Sequence, residues 1–373
     1  MTTKRAAIDP RGTRSHQVAS SARHVRRGVR IGIALVVWGF IILTVRAGNG
    51  SEIEPTATVA GGEGYRVGNT GLWLGGYLNV DGRVRRPGPA SLGLADVGLL
   101  ARYEVTPRVT LFNETDLEDS ITVREGQGLQ RGSQVLLLER LYADWSPTPS
   151  ITIRAGKFLT PFGLWNVIRR APLTWTVERP LAAQSAFPEH ATGLGLIYET
   201  TRHAWTLDAA AYGQPYDELV RGASDNSASG MAGGRIVAAH TLGPAYVGVG
   251  LSAVGFKNRD TGLWEDAYGG DLDITAWGNQ LTGEFAYSHL RESEATREWG
   301  FYLQDALPLY GSLYGVLRFE HFEPRQGSVV NGELLGLAWR ASPHVFVKAN
   351  YQFADKPDAD LERGFLAALV LFF

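Results

Sequence analysis

From about residue 70 the chain alternates apolar with small or polar residues in segments of roughly ten, the period-two signature of strands with unlike faces. Sixteen segments can be drawn: 71–82, 92–105, 108–118, 135–146, 150–159, 193–200, 204–212, 231–242, 245–256, 266–277, 279–290, 297–306, 311–322, 331–341, 344–354 and 362–373. In 344–354, Val345, Val347, Ala349, Tyr351 and Phe353 share one face, and Lys348, Asn350 and Gln352 the other. Leu313, Leu317 and Phe319 likewise oppose Arg318 and Glu320, and Leu272 and Ile274 oppose Asp271 and Asp273.

The gaps between segments alternate in length. Short ones such as Thr201-Arg202-His203, Gly243-Pro244 and Gly278-Asn279 join each even segment to the next odd one. The others are longer and polar: 119–132, 160–192, 213–230, 257–265, 291–296, 323–330 and 355–361. An even number of strands with short turns at one end and long loops at the other is the layout of a transmembrane β-barrel. Sixteen strands also exceed what an open twisted sheet ordinarily sustains, which favours closure. The expected fold is therefore all-β, an antiparallel barrel over residues 70–373.

Trp73, Tyr77, Trp145, Trp205, Tyr246, Trp277, Trp299, Tyr302 and Trp339 fall towards segment ends, the positions of interfacial girdles. Glycine is abundant, 45 of 373 residues, and cysteine is absent, which excludes disulfides, thiolate metal sites and a cysteine nucleophile. The apolar run Ile31–Val45 follows a basic stretch and precedes Val45-Arg46-Ala47. It is short for a membrane-spanning helix and reads as a secretion signal over residues 1–47, with an uncleaved anchor as the alternative. Residues 48–69 read as a flexible lead-in to the barrel. Residues 1–47 carry a net charge of +8 and the remainder −10, so the exported chain is acidic and no nucleic-acid partner is expected.

The chain ends in LAALVLFF, with Phe365, Ala367, Leu369, Leu371 and Phe373 at alternate positions. This resembles the C-terminal signature of bacterial outer-membrane barrels, and the resemblance makes Phe373 the signal read by the barrel assembly machinery. The run AGKFLTPFGLWN at Ala155–Asn166, preceded by Glu139-Arg140-Leu141-Tyr142, resembles the phosphate-selective type of Gram-negative outer-membrane porin. The resemblance implies a water-filled channel for small hydrophilic solutes or ions, anions such as phosphate among them, in a homotrimer surrounded by outer-membrane lipid.

The longest gap, 160–192, stands at the place of the third external loop, which in such porins folds into the lumen. Arg169, Arg170, Glu178 and Arg179 in it are the candidate constriction residues, basic groups set against acids. The pleat places Arg154, Arg318, Glu320, Lys348 and Asn350 on the lumen face as candidate pore-lining residues, with Arg102 and Arg235. The same count places Asp96, Glu114, Asp116, Asp208, Asp271, Asp273 and Glu284 there, so the wall mixes signs. The segment 135–146 has no single phase, because strict alternation turns either Glu139 or Arg140 to lipid.

No metalloprotease, nucleophile-elbow or phosphate-loop motif occurs, and neither catalysis nor a cofactor is expected. Ser288 and His289 are adjacent and so fall on opposite faces of a strand. Asp355, Asp358, Asp360 and Glu362 read as a solvated acidic loop, with calcium ligation as the alternative. An outer-membrane barrel with an enzymatic or adhesive role is the competing class.

Overall fold

The computed structural model describes residues 64–373 apart from 87, 133–134, 169, 185, 218–226 and 356–362. The expected secretion signal lies outside the described residues, as do Asp358, Asp360 and Glu362. The strands in chain order are β1 (Tyr65–Arg66), β2 (Leu72–Arg85), β3 (Ala90–Thr106), β4 (Val109–Arg124), β5 (Gly128–Arg131), β6 (Val135–Thr148), β7 (Ile151–Leu159), β8 (His190–Arg202) and β9 (Trp205–Gln214). There follow β10 (Ala228–Leu242), β11 (Ala245–Asn258), β12 (Trp264–Ala276), β13 (Asn279–Leu290), β14 (Ser293–Tyr310), β15 (Leu313–Glu323), β16 (Val330–Ser342), β17 (Val345–Ala354) and β18 (Gly364–Phe372).

All but β1 and β5 form a closed wall of sixteen antiparallel strands, as the alternation predicts. Closure comes from β18 pairing with β2, from Gly364 opposite Arg85 to Phe372 opposite Tyr77. A closed wall leaves no strand edge unpaired, the condition for strands to cross a hydrocarbon layer. Phe373 completes the seam by donating its N–H to Gly76 O and accepting from Gly76 N–H, at 2.9 and 2.8 Å.

Three details differ from the sequence reading. Tyr65–Arg66, in the expected flexible lead-in, pair with Trp73–Leu74 and continue the lane of β18 beyond Phe373, covering backbone of β2 that would otherwise be bare. Residues 119–132 continue β4 and turn back through β5, so this loop is an extended hairpin. The gap 291–296 shrinks to a tight turn at Arg291–Glu292, because β14 starts at Ser293.

The short turns use left-handed backbone where the sequence offers glycine, at Gly243, Gly278 and Gly311. Trp277 also has positive φ, 51°, so Trp277-Gly278 has the primed-turn handedness that matches strand twist.

The pleat separates two surfaces. Leu141, Leu194, Leu251, Leu303, Leu317, Leu335 and Leu337 point outwards and are exposed, a belt whose natural solvent is lipid. Trp145, Trp205, Trp277 and Tyr310 rim it near the short turns, and Trp264, Tyr268 and Trp299 near the long loops. Four aromatics expected in the girdles face inwards instead, Trp73 opposite Arg102 among them. Tyr77 donates to Asp116 at 2.8 Å, Tyr302 packs on Trp165, and Tyr246 lies on the face opposite Val247 and Val249. The hydroxyls of Tyr77 and Tyr302 find carboxylates in the lumen, a distinction invisible to a rule that scores only nearness to a strand end.

In β6 a bulge resolves the phase conflict. Glu114 pairs with Arg140 and Thr115 with Leu138, which leaves Glu139 as the extra residue. Glu139 and Arg140 therefore both turn inwards: Glu139 meets His190 Nε2 at 3.0 Å and Arg140 bonds Glu114.

Candidate functional site: an inserted loop docked on the lumen wall

The segment between β7 and β8 folds into the barrel, as expected from its length and place. It carries α1 (Trp165–Ile168) and two short 3-10 turns, Ala171–Leu173 and Leu181–Ala183. Its neck is closed by Thr160 N–H donating to Glu189 O, and by Asn166 Nδ2 donating to Thr160 O and Glu189 O at 2.8 and 3.0 Å. Chain ends tied in this way leave the intervening residues projecting as one unit.

At the turn into α1, Gly163 has φ of 62° and donates its N–H to Ser252 Oγ on β11. A Cβ at Gly163 would stand 1.9 Å from Glu284 Oε1, so only glycine fits. Glu284, on β13, accepts the N–H groups of Leu164 and Trp165, each at 3.1 Å. Phe162 and Phe187 stack with centroids 4.1 Å apart, in an apolar cluster with Phe112, Tyr142, Phe158, Tyr212 and Phe256 of the wall.

Further along, the loop's backbone groups are met by charged and polar wall residues. Lys348 Nζ donates to Ala171 O at 2.6 Å, to Thr174 Oγ1 at 2.7 Å and to Thr176 O at 3.2 Å. Arg318 donates to Thr176 Oγ1 and Glu178 O, Asn350 Oδ1 accepts from Val177 N–H, and Glu320 accepts from Leu181 N–H. Trp175 Nε1 reaches Gln280 at 2.7 Å while its ring packs on Tyr314 and Phe346. Buried polar groups need partners, and here the wall supplies them to an irregular segment that has no ladder of its own.

The candidate pore-lining residues therefore divide. Arg318, Glu320, Lys348 and Asn350 lie on the lumen face, but all are buried, Lys348 at 1% exposure, because the loop covers them. They dock the loop and do not meet open water. Alternation gives the side of a strand; it carries no information about what a distant loop lays over that side. Arg154 is more open, held by Asp144 through two bonds of 2.8 Å and set over the Tyr142 ring.

Of the candidate constriction residues, Arg170, Glu178 and Arg179 are also paired. Arg170 crosses to Glu114 on β4, with Nη2 3.0 Å from Oε2, so Glu114 serves Arg140 and Arg170 together. Arg179 bonds Glu189 and the Ala183 carbonyl, both within the loop. Glu178 meets Arg83 of β2 at 2.9 Å. Arg169 lies outside the described residues.

What remains between the loop and the wall of β2, β3, β17 and β18 is a polar cavity of about 160 Å³, bordered by Asn79, Asp96, Thr174, Arg179 and Lys348. Arg83 and Glu178 stand beside it with 30% and 23% of their side chains exposed. The sequence reading placed Glu284 on the lumen face and Gly163 at the start of the third loop without a docking role for either, and it did not single out Arg83, for which the inward phase in β2 was the one available signal. Among the described residues, no group of three or more His, Asp or Glu could hold a metal ion.

The closed wall, the lipid-facing belt and the inserted loop define an outer-membrane β-barrel of the porin fold. The family model for phosphate-selective porin O and P matches residues 104–273. Among solved structures, OmpT of Vibrio cholerae superposes with a TM-score of 0.56 at 13% identity, covering 83% of this chain and 100% of that one. OmpF of Salmonella typhi, solved with daunomycin, gives 0.55 at 13% identity, covering 82% and 99%. The channel DcaP of Acinetobacter baumannii gives 0.52 at 9% identity, covering 83% and 99%. No curated protein sequence matches the chain. The chain is thus a barrel of the bacterial outer membrane that resembles the phosphate-selective porins.

Proposed function

We propose that the barrel is a passive channel for small hydrophilic solutes, which pass between the inserted loop and the wall of β2 and β3. The observation that carries this reading is the polar cavity beside Asn79, Asp96 and Arg179, left where the docked loop does not fill the lumen. Its size, about 160 Å³, suits ions and small polar molecules. Movement is by diffusion and needs no cofactor, while the lumen charges bias which solutes enter.

The match to phosphate-selective porins supports an anion preference as a finer reading. Such a preference draws on cationic side chains facing the path, and Arg170, Arg179 and Arg318 are each bonded to a carboxylate. A homotrimer is the assembly we propose, in line with the trimer form of Vibrio cholerae OmpT among the similar structures. Residues 1–47 act as the export signal, and Phe373 as the contact for the assembly machinery.

Recording from the purified, detergent-refolded chain in planar lipid bilayers tests the channel. Stepwise conductance is expected; a folded barrel that never conducts overturns the reading.

A further inference from the structure

We propose that the channel prefers cations, with Glu199, Asp208 and Asp273 near the short turns setting the preference. This rests on the channel reading above and departs from the anion preference suggested by the porins it resembles. The middle of the loop packs against β13 to β18, where Ala306, Val316 and Phe346 are buried beneath Trp175. Inward side chains on β6 to β12 near the short turns stay partly open, among them Asp144, Arg154, Glu199 and Asp208.

Two arginines lie on that open wall, and each is held by its own carboxylate. Arg154 bonds Asp144 through Nε and Nη2, both at 2.8 Å. Arg235 bonds Asp271 through Nη2 at 2.7 Å. Each pair is neutral, and its guanidinium hydrogens are directed at a fixed partner. Glu199 and Asp208 face one another across the β8–β9 ladder, and Asp273 accepts from Gln280 Nε2 at 3.2 Å, a neutral donor. The wall therefore keeps a surplus of three negative charges after its arginines are matched.

Beside the loop the charged groups are held by fixed partners as well. Asp81 and Glu178 share Arg83, and Arg179 is taken by Glu189. Lys348 is buried and spends its hydrogens on loop oxygens, and Arg340 is set over the Trp175 and Phe346 rings. A permeating anion thus meets net negative charge along the open wall, and a cation is attracted to it.

The test is the reversal potential of the full chain in bilayers under a potassium chloride gradient, repeated with Glu199→Gln, Asp208→Asn and Asp273→Asn singly and together. The expected result is a potassium-to-chloride permeability ratio above one, lowered about twofold or more in the triple variant. Retention of the heat-modifiable gel shift certifies that each variant is folded, and the single variants report if the triple one fails to fold. Chloride preference in the parent, or an unchanged ratio in folded variants, overturns the proposal while leaving the channel standing. A folded parent that does not conduct removes the channel reading itself, and the proposal with it.

Discussion

Lys348 on β17 reaches the carbonyl of Ala171 across the lumen at 2.6 Å, a contact between residues far apart in the chain and buried from water. The ammonium gives its remaining hydrogens to Thr174 and Thr176, so one side chain satisfies three loop oxygens. Lys348→Met keeps the volume of the stem and removes the donors. Each orphaned buried acceptor costs about 1–3 kcal/mol, enough to free the middle of the loop without unfolding a wall held by its own ladders. The expected outcome is a larger and noisier single-channel conductance, with faster amide exchange at Thr176 and Val177. Unchanged conductance and unchanged exchange would show that the loop is held without Lys348.

Gly163 offers a steric test at the other end of the loop. A Cβ there collides with Glu284, whose carboxylate holds the Leu164 and Trp165 N–H groups. Gly163→Val adds backbone strain at positive φ to that clash, and the loop neck must leave the wall. The barrel is expected to form with its usual gel shift and to conduct more than the parent. Gly163→Ala meets the same contact with its single Cβ and should also raise conductance, by less than Gly163→Val. A Gly163→Val barrel indistinguishable from the parent would contradict this account of the loop neck.

How much of this was legible in the sequence follows from range. The sixteen wall strands and their outward leucines come from local alternation, and the inserted loop from its length and place. The contacts of Lys348, Arg318, Glu320 and Asn350 with the loop depend on how an irregular segment drapes over a wall more than a hundred residues away in sequence, and periodicity carries no trace of that. Glu139 is an intermediate case. Two adjacent charged residues in a strand pattern can be kept from lipid by a bulge, and the conflict over Glu139 and Arg140 was itself the signal. Tyr77 and Tyr302 show the limit of reading aromatics as girdle residues, since carboxylates on other strands of the wall drew their hydroxyls inwards.

The Glu114–Arg170–Arg140 cluster joins the loop to β4 and β6. Removing one member of a buried ionic group strands the others, at about 3–5 kcal/mol. Glu114→Gln, which leaves two arginines close together without their carboxylate, is expected to lower the unfolding temperature measured by circular dichroism in detergent. Glu114→Met with Arg140→Met and Arg170→Met should restore much of the loss, because three apolar side chains of similar volume leave no stranded charge. If the triple variant is no more stable than Glu114→Gln, the cluster does more than balance charge.

Leu251 and Val237 test the two surfaces of the wall directly. Leu251 is 62% exposed on the outward face of β11, whereas Val237 lies inward on β10 next to the lumen carboxylates Asp208 and Asp271. Leu251→Arg puts a charge into the lipid belt, at about 2–4 kcal/mol near the midplane. Val237→Arg puts the same charge among carboxylates and water. The first is therefore expected to reduce the fraction of chain that folds into vesicles in a urea titration, with a lower midpoint than the parent, while the second folds as the parent does. Equal losses for the two variants, or a greater loss at Val237, would mean that the outward leucines are not the surface that meets lipid.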